Sequence, residues 1–117
     1  MNAISLHCRY ILKKLLTTNG NSWHLYIKKP VAQLMGITPD EYTVIINIEN
    51  KTLFVKKIKN NELEKYKDLM HKKLLKRGSG YGLSLQVALL ELLEVNPEKD
   101  MVEYEVNGQV LTIKKAD

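Results

Sequence analysis

Residues 27–39 read IKKPVAQLMGITP, and residues 85–97 read LQVALLELLEVNP, which is a similar apolar pattern ending in the same proline. Aligning Pro39 with Pro97 shifts the chain against itself by 58 residues without a gap. The same shift aligns similar residues on both sides of this segment: Leu16 with Leu74, Gly20 with Gly78, Trp23 with Tyr81, Leu25 with Leu83, Leu34 with Leu92, Ile37 with Val95, Val44 with Val102, Leu53 with Leu111 and Val55 with Ile113. Self-similarity at a fixed period predicts a tandem repeat of one structural unit.

The two copies are expected to form a single pseudo-twofold domain. We place them at residues 13–58 and 73–117, with residues 59–72 as the segment that joins them. A chain of 117 residues can bury roughly two thirds of the surface that its unfolded form exposes, whereas a chain of half that length buries too little. Each copy should therefore complete its core by folding on the other.

Both copies predict a mainly β unit with one short helix. The first strand, at residues 13–18 and 72–77, leads into a glycine turn, and the strand after it alternates, with Leu25 and Ile27 on one face. Pro30 can begin a helix that Gly36 ends, and residues 86–93 form its counterpart. A hairpin closes each copy, over residues 44–57 and 102–114. In the second hairpin, Asn107-Gly108 is a strong signal for a two-residue turn.

The joining segment, residues 59–72, is predicted to be a linker helix. Asn60 is a favourable cap, and Leu63, Tyr66 and Leu69 follow at helical spacing. The remaining residues are mostly charged or polar, so the helix should expose one solvated face.

Composition narrows the class of protein. The chain is 44% hydrophobic and 26% charged, which is typical of a globular protein. Its net charge of +5 favours a polyanionic partner, but many ordinary soluble proteins are equally basic, so the charge alone adds only modest support for nucleic-acid binding. Its apolar runs are much shorter than the roughly 20 residues that span a bilayer. Residues 1–12 carry His7, Cys8 and Arg9 in place of the apolar core of a secretory signal, so we expect a cytoplasmic location.

The residues that usually carry catalysis or hold cofactors are not arranged for either. His7, His24 and His71 have no metal-ligand spacing, and the single cysteine, Cys8, has no second thiol to share a zinc ion. Residues 78–82 read GSGYG, a glycine-rich turn that lacks the lysine and helix of a phosphate loop. We therefore predict no cofactor, no metal site and no enzymatic activity.

The order of elements resembles the SpoVT/AbrB family, including the MazE-type antitoxins. Gly20-Asn21-Ser22 is similar to the Gly-Asn-Ser of the MazE branch, and residues 27–37 are similar to the helix segment of both branches. The resemblance covers nearly the whole chain, twice. It implies a swapped-hairpin β-barrel in which two copies interleave their hairpins, here within one chain, and it implies DNA binding around the Gly-Asn-Ser position. The protein would be a monomeric pseudo-dimer or a homodimer.

Candidate DNA-binding residues lie around the two glycine turns and at the start of the first helix. The second turn is preceded by cations, whereas the first is preceded by the neutral Thr17 and Thr18, so one arm should be basic and the other mainly hydrogen-bonding. The candidates are Lys72, Lys73, Lys76 and Arg77 near the second turn, Asn21 and Ser22 in the first, and Lys28 and Lys29 before the helix. These side chains can contact phosphates or base edges.

The leading functional prediction is a DNA-binding transcriptional regulator. An alternative from another class is a MazE-like antitoxin, or another protein-interaction module, with a toxin protein as its partner. A third is a structural duplicate that mediates assembly without binding DNA.

Overall fold

A computed structural model describes residues 11–18 and 22–116. Within these residues the chain is mainly β, with two short α-helices and one 3-10 helix. The strands are β1 Leu12–Leu15, β2 Thr17–Thr18, β3 Trp23–Ile27, β4 Thr43–Glu49, β5 Thr52–Ile58, β6 Met70–Lys73, β7 Leu75–Arg77, β8 Gly80–Leu85, β9 Met101–Asn107 and β10 Val110–Lys115. The helices are α1 Lys29–Met35, the 3-10 helix Asn60–Tyr66 and α2 Val87–Leu92.

These strands form two antiparallel sheets. The six-stranded sheet has the order β1-β9-β10-β5-β4-β6, and the four-stranded sheet has the order β2-β3-β8-β7. The chain passes from one sheet to the other at Leu16 and again at Leu74, which are both buried and are equivalent under the 58-residue shift. Because the first predicted strand of each copy is divided between two sheets, the expected β-barrel is not observed. Across residues 11–18 and 22–116, no strand pairing closes either sheet.

Strand pairing crosses between the two halves of the chain. β1 pairs with β9, so that Leu12 faces Tyr104, and β6 pairs with β4, so that Met70 faces Ile46. Adding 58 to residue 12 gives residue 70, and subtracting 58 from residue 104 gives residue 46. The pair Leu12–Tyr104 therefore corresponds to the pair Met70–Ile46. The central β3–β8 ladder obeys the same relation about the pair Leu25–Leu83. The register of the sheets therefore repeats the relation between the copies.

One buried cluster contains residues from both halves. Leu25 and Leu83 face each other across β3 and β8, and both side chains are almost fully buried. Other members come from both hairpins and both helices: Val31, Met35, Val44, Leu53, Val55, Leu89, Leu90, Val102, Leu111 and Ile113. Burial of the alternating residues of β3 confirms the face predicted from the sequence.

The short helix is confirmed, whereas the second hairpin turn is displaced by one residue. α1 has Pro30 in its first turn and ends at Gly36, whose φ of 82° is left-handed. The second hairpin turns at Gly108 and Gln109, with φ of 55° and 69°, rather than at Asn107-Gly108. Cross-strand pairing sets this register, because Asn107 remains in β9, where it faces Val110.

The predicted linker helix over residues 59–72 is wrong beyond Tyr66. The 3-10 helix covers Asn60–Tyr66, and residues 70–73 instead form β6, which pairs with β4. An unpaired edge on β4 would leave backbone groups without partners, and pairing them outweighs the weak helical spacing of Leu69. The second copy therefore begins its β structure at Met70 rather than at residue 73.

Candidate nucleic-acid interface

The four-stranded sheet has one apolar face and one polar face. Leu25, Ile27 and Leu83 lie on the apolar face, which packs into the core. Since side chains alternate along a strand, the register places five residues on the opposite face: His24, Tyr26, Gly80, Gly82 and Ser84. We call this opposite side the outer face.

Two glycines of β8 let larger side chains lie close to this outer face. A Cβ atom on Gly80 would stand 2.6 Å from the hydroxyl oxygen of Tyr26 and closer still to the carbonyl oxygen of Ile27. A Cβ atom on Gly82 would stand 3.0 Å from Nε of Arg77. The Tyr26 hydroxyl donates a 3.4 Å hydrogen bond to the carbonyl oxygen of Arg77. Tyr26 and Arg77 therefore occupy space that the missing side chains leave open.

Three cations converge on this face, and we call them the cation cluster: Lys14, Lys72 and Arg77. Nζ of Lys14 lies 5.0 Å from the centroid of the Tyr26 ring, within the range of a cation–π contact. Nζ of Lys72 donates a 2.8 Å hydrogen bond to the carbonyl oxygen of Ser84. Among the ion pairs of the described residues, none includes a member of the cluster. Their charges are therefore available to an anion.

The pKa of His24 responds to two positive charges of the cation cluster. Burial lowers the pKa of His24 below its usual 6.5, and the nearby charges of Arg77 and then Lys72 lower this pKa further. The imidazole is therefore mainly neutral at pH 7. Its Nε2 lies 3.1 Å from the hydroxyl oxygen of Ser22, while Nδ1 is buried and has no hydrogen-bond partner within the described part of the chain.

Lys76 and Arg77 are adjacent in sequence but point to opposite sides of the sheet. Lys76 pairs with Tyr81, and its Nζ lies 4.9 Å from the centroid of that buried ring. Neighbouring residues of a strand alternate between faces, so only Arg77 joins the cation cluster. The two side chains therefore cannot form one continuous arm on the outer face.

The other predicted DNA contacts are spread over the molecule. Lys29 and Lys76 line a cleft on the far side of the sheet, and Lys73 and Lys76 line a second cleft beside it. Lys28 is the exposed residue immediately before α1. Asn21 lies outside the described residues, as do Gly20 and Cys8. Of the eight predicted residues, the structure brings Ser22, Lys72 and Arg77 together around His24.

Sequence reasoning missed Lys14, Tyr26 and His24. A signal for Lys14 was present, because the 58-residue shift aligns it with Lys72. Tyr26 and His24 alternate with Leu25 and Ile27, which places them on the opposite face of β3, but no local pattern indicates that cations from β1, β6 and β7 would surround them.

Comparisons of the chain with protein-family models, curated proteins and solved structures found no match. No helix in the described portion is long and apolar enough to cross a membrane. Over that same portion, no three His, Cys, Asp or Glu side chains are grouped so that they could hold a metal ion.

Proposed function

We propose that this protein is a DNA-binding transcriptional regulator of the SpoVT/AbrB swapped-hairpin type, acting in the cytoplasm and contacting DNA through the outer face of the four-stranded sheet. The observation that carries the proposal is the cation cluster of Lys14, Lys72 and Arg77, which has no carboxylate partner among the described residues. The crossed pairing of β1 with β9 and of β6 with β4 supports the swapped-hairpin assignment.

Phosphate binding follows from the chemistry of the cluster. A guanidinium group can donate two parallel hydrogen bonds to a phosphate, and the ammonium groups of Lys14 and Lys72 add point charges on either side of the β3–β8 ladder. A net charge of +5 favours approach to a polyanion. Ser22 and Tyr26 lie beside the cluster and offer hydroxyl groups that can hydrogen-bond to phosphates or to base edges.

The 58-residue shift relates one half of the outer face to the other half, but the residues at equivalent positions differ chemically. Lys14 and Lys72 are equivalent, whereas Tyr26 is equivalent to Ser84 and His24 to Gly82. Arg77 is equivalent to Asn19. We therefore expect an asymmetric target in which one half-site is held mainly by charge and the other by neutral donors and an aromatic ring.

A salt titration of single-charge variants tests the proposal. Arg77→Gln should weaken binding to a duplex selected from a random pool by about tenfold or more, because a charged hydrogen bond is worth about 1.5–3 kcal/mol. The slope of log affinity against log salt should fall by about 0.9 for each lost phosphate contact. Lys72→Gln should act in the same direction.

Lys51→Gln is the matched control. Lys51 is exposed in the β4–β5 turn and pairs with Glu94, so its loss removes the same formal charge far from the cluster in sequence and sheet position. It should leave the salt slope unchanged. Absence of binding at low salt, or an equal loss from Lys51→Gln and Arg77→Gln in folded proteins, would contradict the proposal.

A further inference from the structure

Two adjoining clefts lie beside the bend between β6 and β7. The larger has a volume of about 460 Å³, and the smaller has a volume of about 240 Å³. Both are lined by Pro39, Lys76 and Tyr81, so they adjoin, and we call the two together the depression. The larger volume falls within the range of roughly 300–1,000 Å³ that small-molecule sites occupy.

The two clefts differ in chemistry. Besides the shared residues, the larger is lined by Tyr42, Lys73, Leu74 and Leu75. The smaller is lined by the polar residues Lys29, Gln33 and Ser79 and by the apolar residues Ala32 and Ile37. No carboxylate is among the residues that line either cleft. Each cleft therefore combines apolar lining with two lysines, and Lys76 is common to both.

The equivalent positions in the other half of the chain carry different residues. The 58-residue shift replaces Tyr42 by Asp100, Lys73 by Leu15 and Lys76 by Thr18. Asp100 is itself paired with Lys115. The repeat has therefore diverged in both charge and apolar surface at this cleft, although the backbone register around it is shared.

We propose that this depression binds a small amphipathic carboxylate, with its apolar body against Tyr42 and Leu74 and its carboxylate at Lys76. Charge complementarity selects the anion: Lys29, Lys73 and Lys76 are exposed, and no ion pair within residues 11–18 and 22–116 includes any of them. The apolar lining selects a ligand with a hydrocarbon or aromatic body over a bare oxyanion. This site does not depend on the proposed DNA function.

A ligand bound in the depression would also change the electrostatic potential at the outer face. Lys76 lies between Leu75 and Arg77 on β7, and Arg77 belongs to the cation cluster. A carboxylate held by Lys76 adds negative charge behind the strand that presents Arg77. Ligand and nucleic acid should therefore weaken each other's binding, because coupling between two sites is reciprocal.

Isothermal titration calorimetry with decanoate, below its micelle concentration and without DNA, tests the site. Decanoate should bind at least about tenfold more tightly than decanol, because only the carboxylate makes charge-assisted hydrogen bonds. Acetate and inorganic phosphate should bind much more weakly than decanoate, because they lack an apolar body. Amide signals of Tyr42 and Tyr81 should shift in NMR spectra on titration.

The site can be located with variants in which a lysine is replaced by the residue at the equivalent position of the other half of the chain. Lys73→Leu and Lys76→Thr should each weaken decanoate binding by about tenfold, while neither should weaken decanol binding. Lys13→Leu is the matched control, because Lys13 is an exposed lysine on β1 and lines neither cleft.

Three results would overturn the proposal. Decanoate binding that is no tighter than decanol binding would remove the role of the lysines, and equal binding by the three variants would place the ligand elsewhere. Binding of an acidic apolar peptide, with no binding of decanoate, would assign the cleft to a protein partner instead.

Discussion

Replacing Gly80 and Gly82 separately by alanine tests the packing of the outer face. At Gly80 the new methyl group would lie 2.6 Å from the Tyr26 hydroxyl oxygen and closer to the carbonyl oxygen of Ile27. That carbonyl belongs to the β3 backbone, and it would have to move by about 1 Å to restore ordinary contact. Overpacking of this kind costs about 1–3 kcal/mol, so we expect Gly80→Ala to lower the melting temperature by about 4–15 °C.

Gly82→Ala should behave differently, because the obstructing group can move. The methyl group would lie 3.0 Å from Nε and 3.2 Å from Cδ of Arg77, and both belong to a flexible side chain. A displacement of a few tenths of an ångström relieves the contact, so the free energy of unfolding should change by less than about 1 kcal/mol. Arg77 should nevertheless be displaced over the outer face, and DNA binding should weaken while the protein stays folded.

Thermal unfolding followed by circular dichroism distinguishes the variants. Gly78→Ala controls for backbone conformation, because Gly78 has a φ of 56° and no atom lies within 4 Å of its added Cβ. It should cost about 1 kcal/mol from left-handed strain alone. If Gly80→Ala were as stable as the wild type, or if Gly82→Ala were the more damaging of the two, the close approach of β3 to β8 inferred here would be wrong.

Two further predictions concern pH and a helix end. The pKa of His24 is lowered in the folded state, so below the unfolded value of about 6.5 the unfolded chain takes up a proton first. Stability should therefore fall as the pH decreases below about 6.5, and urea unfolding should show a smaller fall in His24→Gln than in the wild type. An equal fall in both would contradict the assignment. Glu94, with a φ of 60°, takes the place that Gly36 has after α1, and its ion pair with Lys51 is largely exposed. Glu94→Gly should raise the free energy of unfolding by about 1 kcal/mol, because glycine adopts a positive φ without strain. Glu91→Gly, within α2, should lower it by a similar amount. A Glu94→Gly protein that melts below the wild type would refute the reasoning.

The buried faces of the strands could be predicted because they depend on alternation within single strands. Leu25 and Leu83 follow from alternation within single strands, and their equivalence follows from the 58-residue shift. Alternation indicates which face of a strand is buried, but it does not indicate the neighbouring strand. The pairing of β1 with β9, and the division of residues 12–18 between two sheets at Leu16, therefore had no local signal.

The candidate interface was predictable only in part, for a related reason. Arg77 and Lys72 lie near a glycine turn, which marks them in the sequence, whereas Lys14 reaches the same face from β1, 58 residues before Lys72. Lys76 was grouped with Arg77 because the two are adjacent in sequence. In a β-strand, however, adjacent side chains point to opposite faces of the sheet. The linker segment has the same limitation. Its sequence predicts a helix through Met70, and only the pairing of β6 with β4, which is distant in sequence, makes this residue part of a strand.

The crossed pairing has a consequence for how the chain is made. Leu12 faces Tyr104, which follows it by 92 residues, so β1 has no native neighbour until the second hairpin has left the ribosome. At synthesis rates of about 5–20 residues per second, that interval lasts roughly 5–20 seconds. During this time β1 is an open strand, and the β9 edge of another copy presents the same hydrogen-bonding groups. Nascent chains on one messenger are therefore exposed to strand exchange, and the fraction of chains in which β1 pairs with its own β9 should depend on how closely ribosomes follow one another.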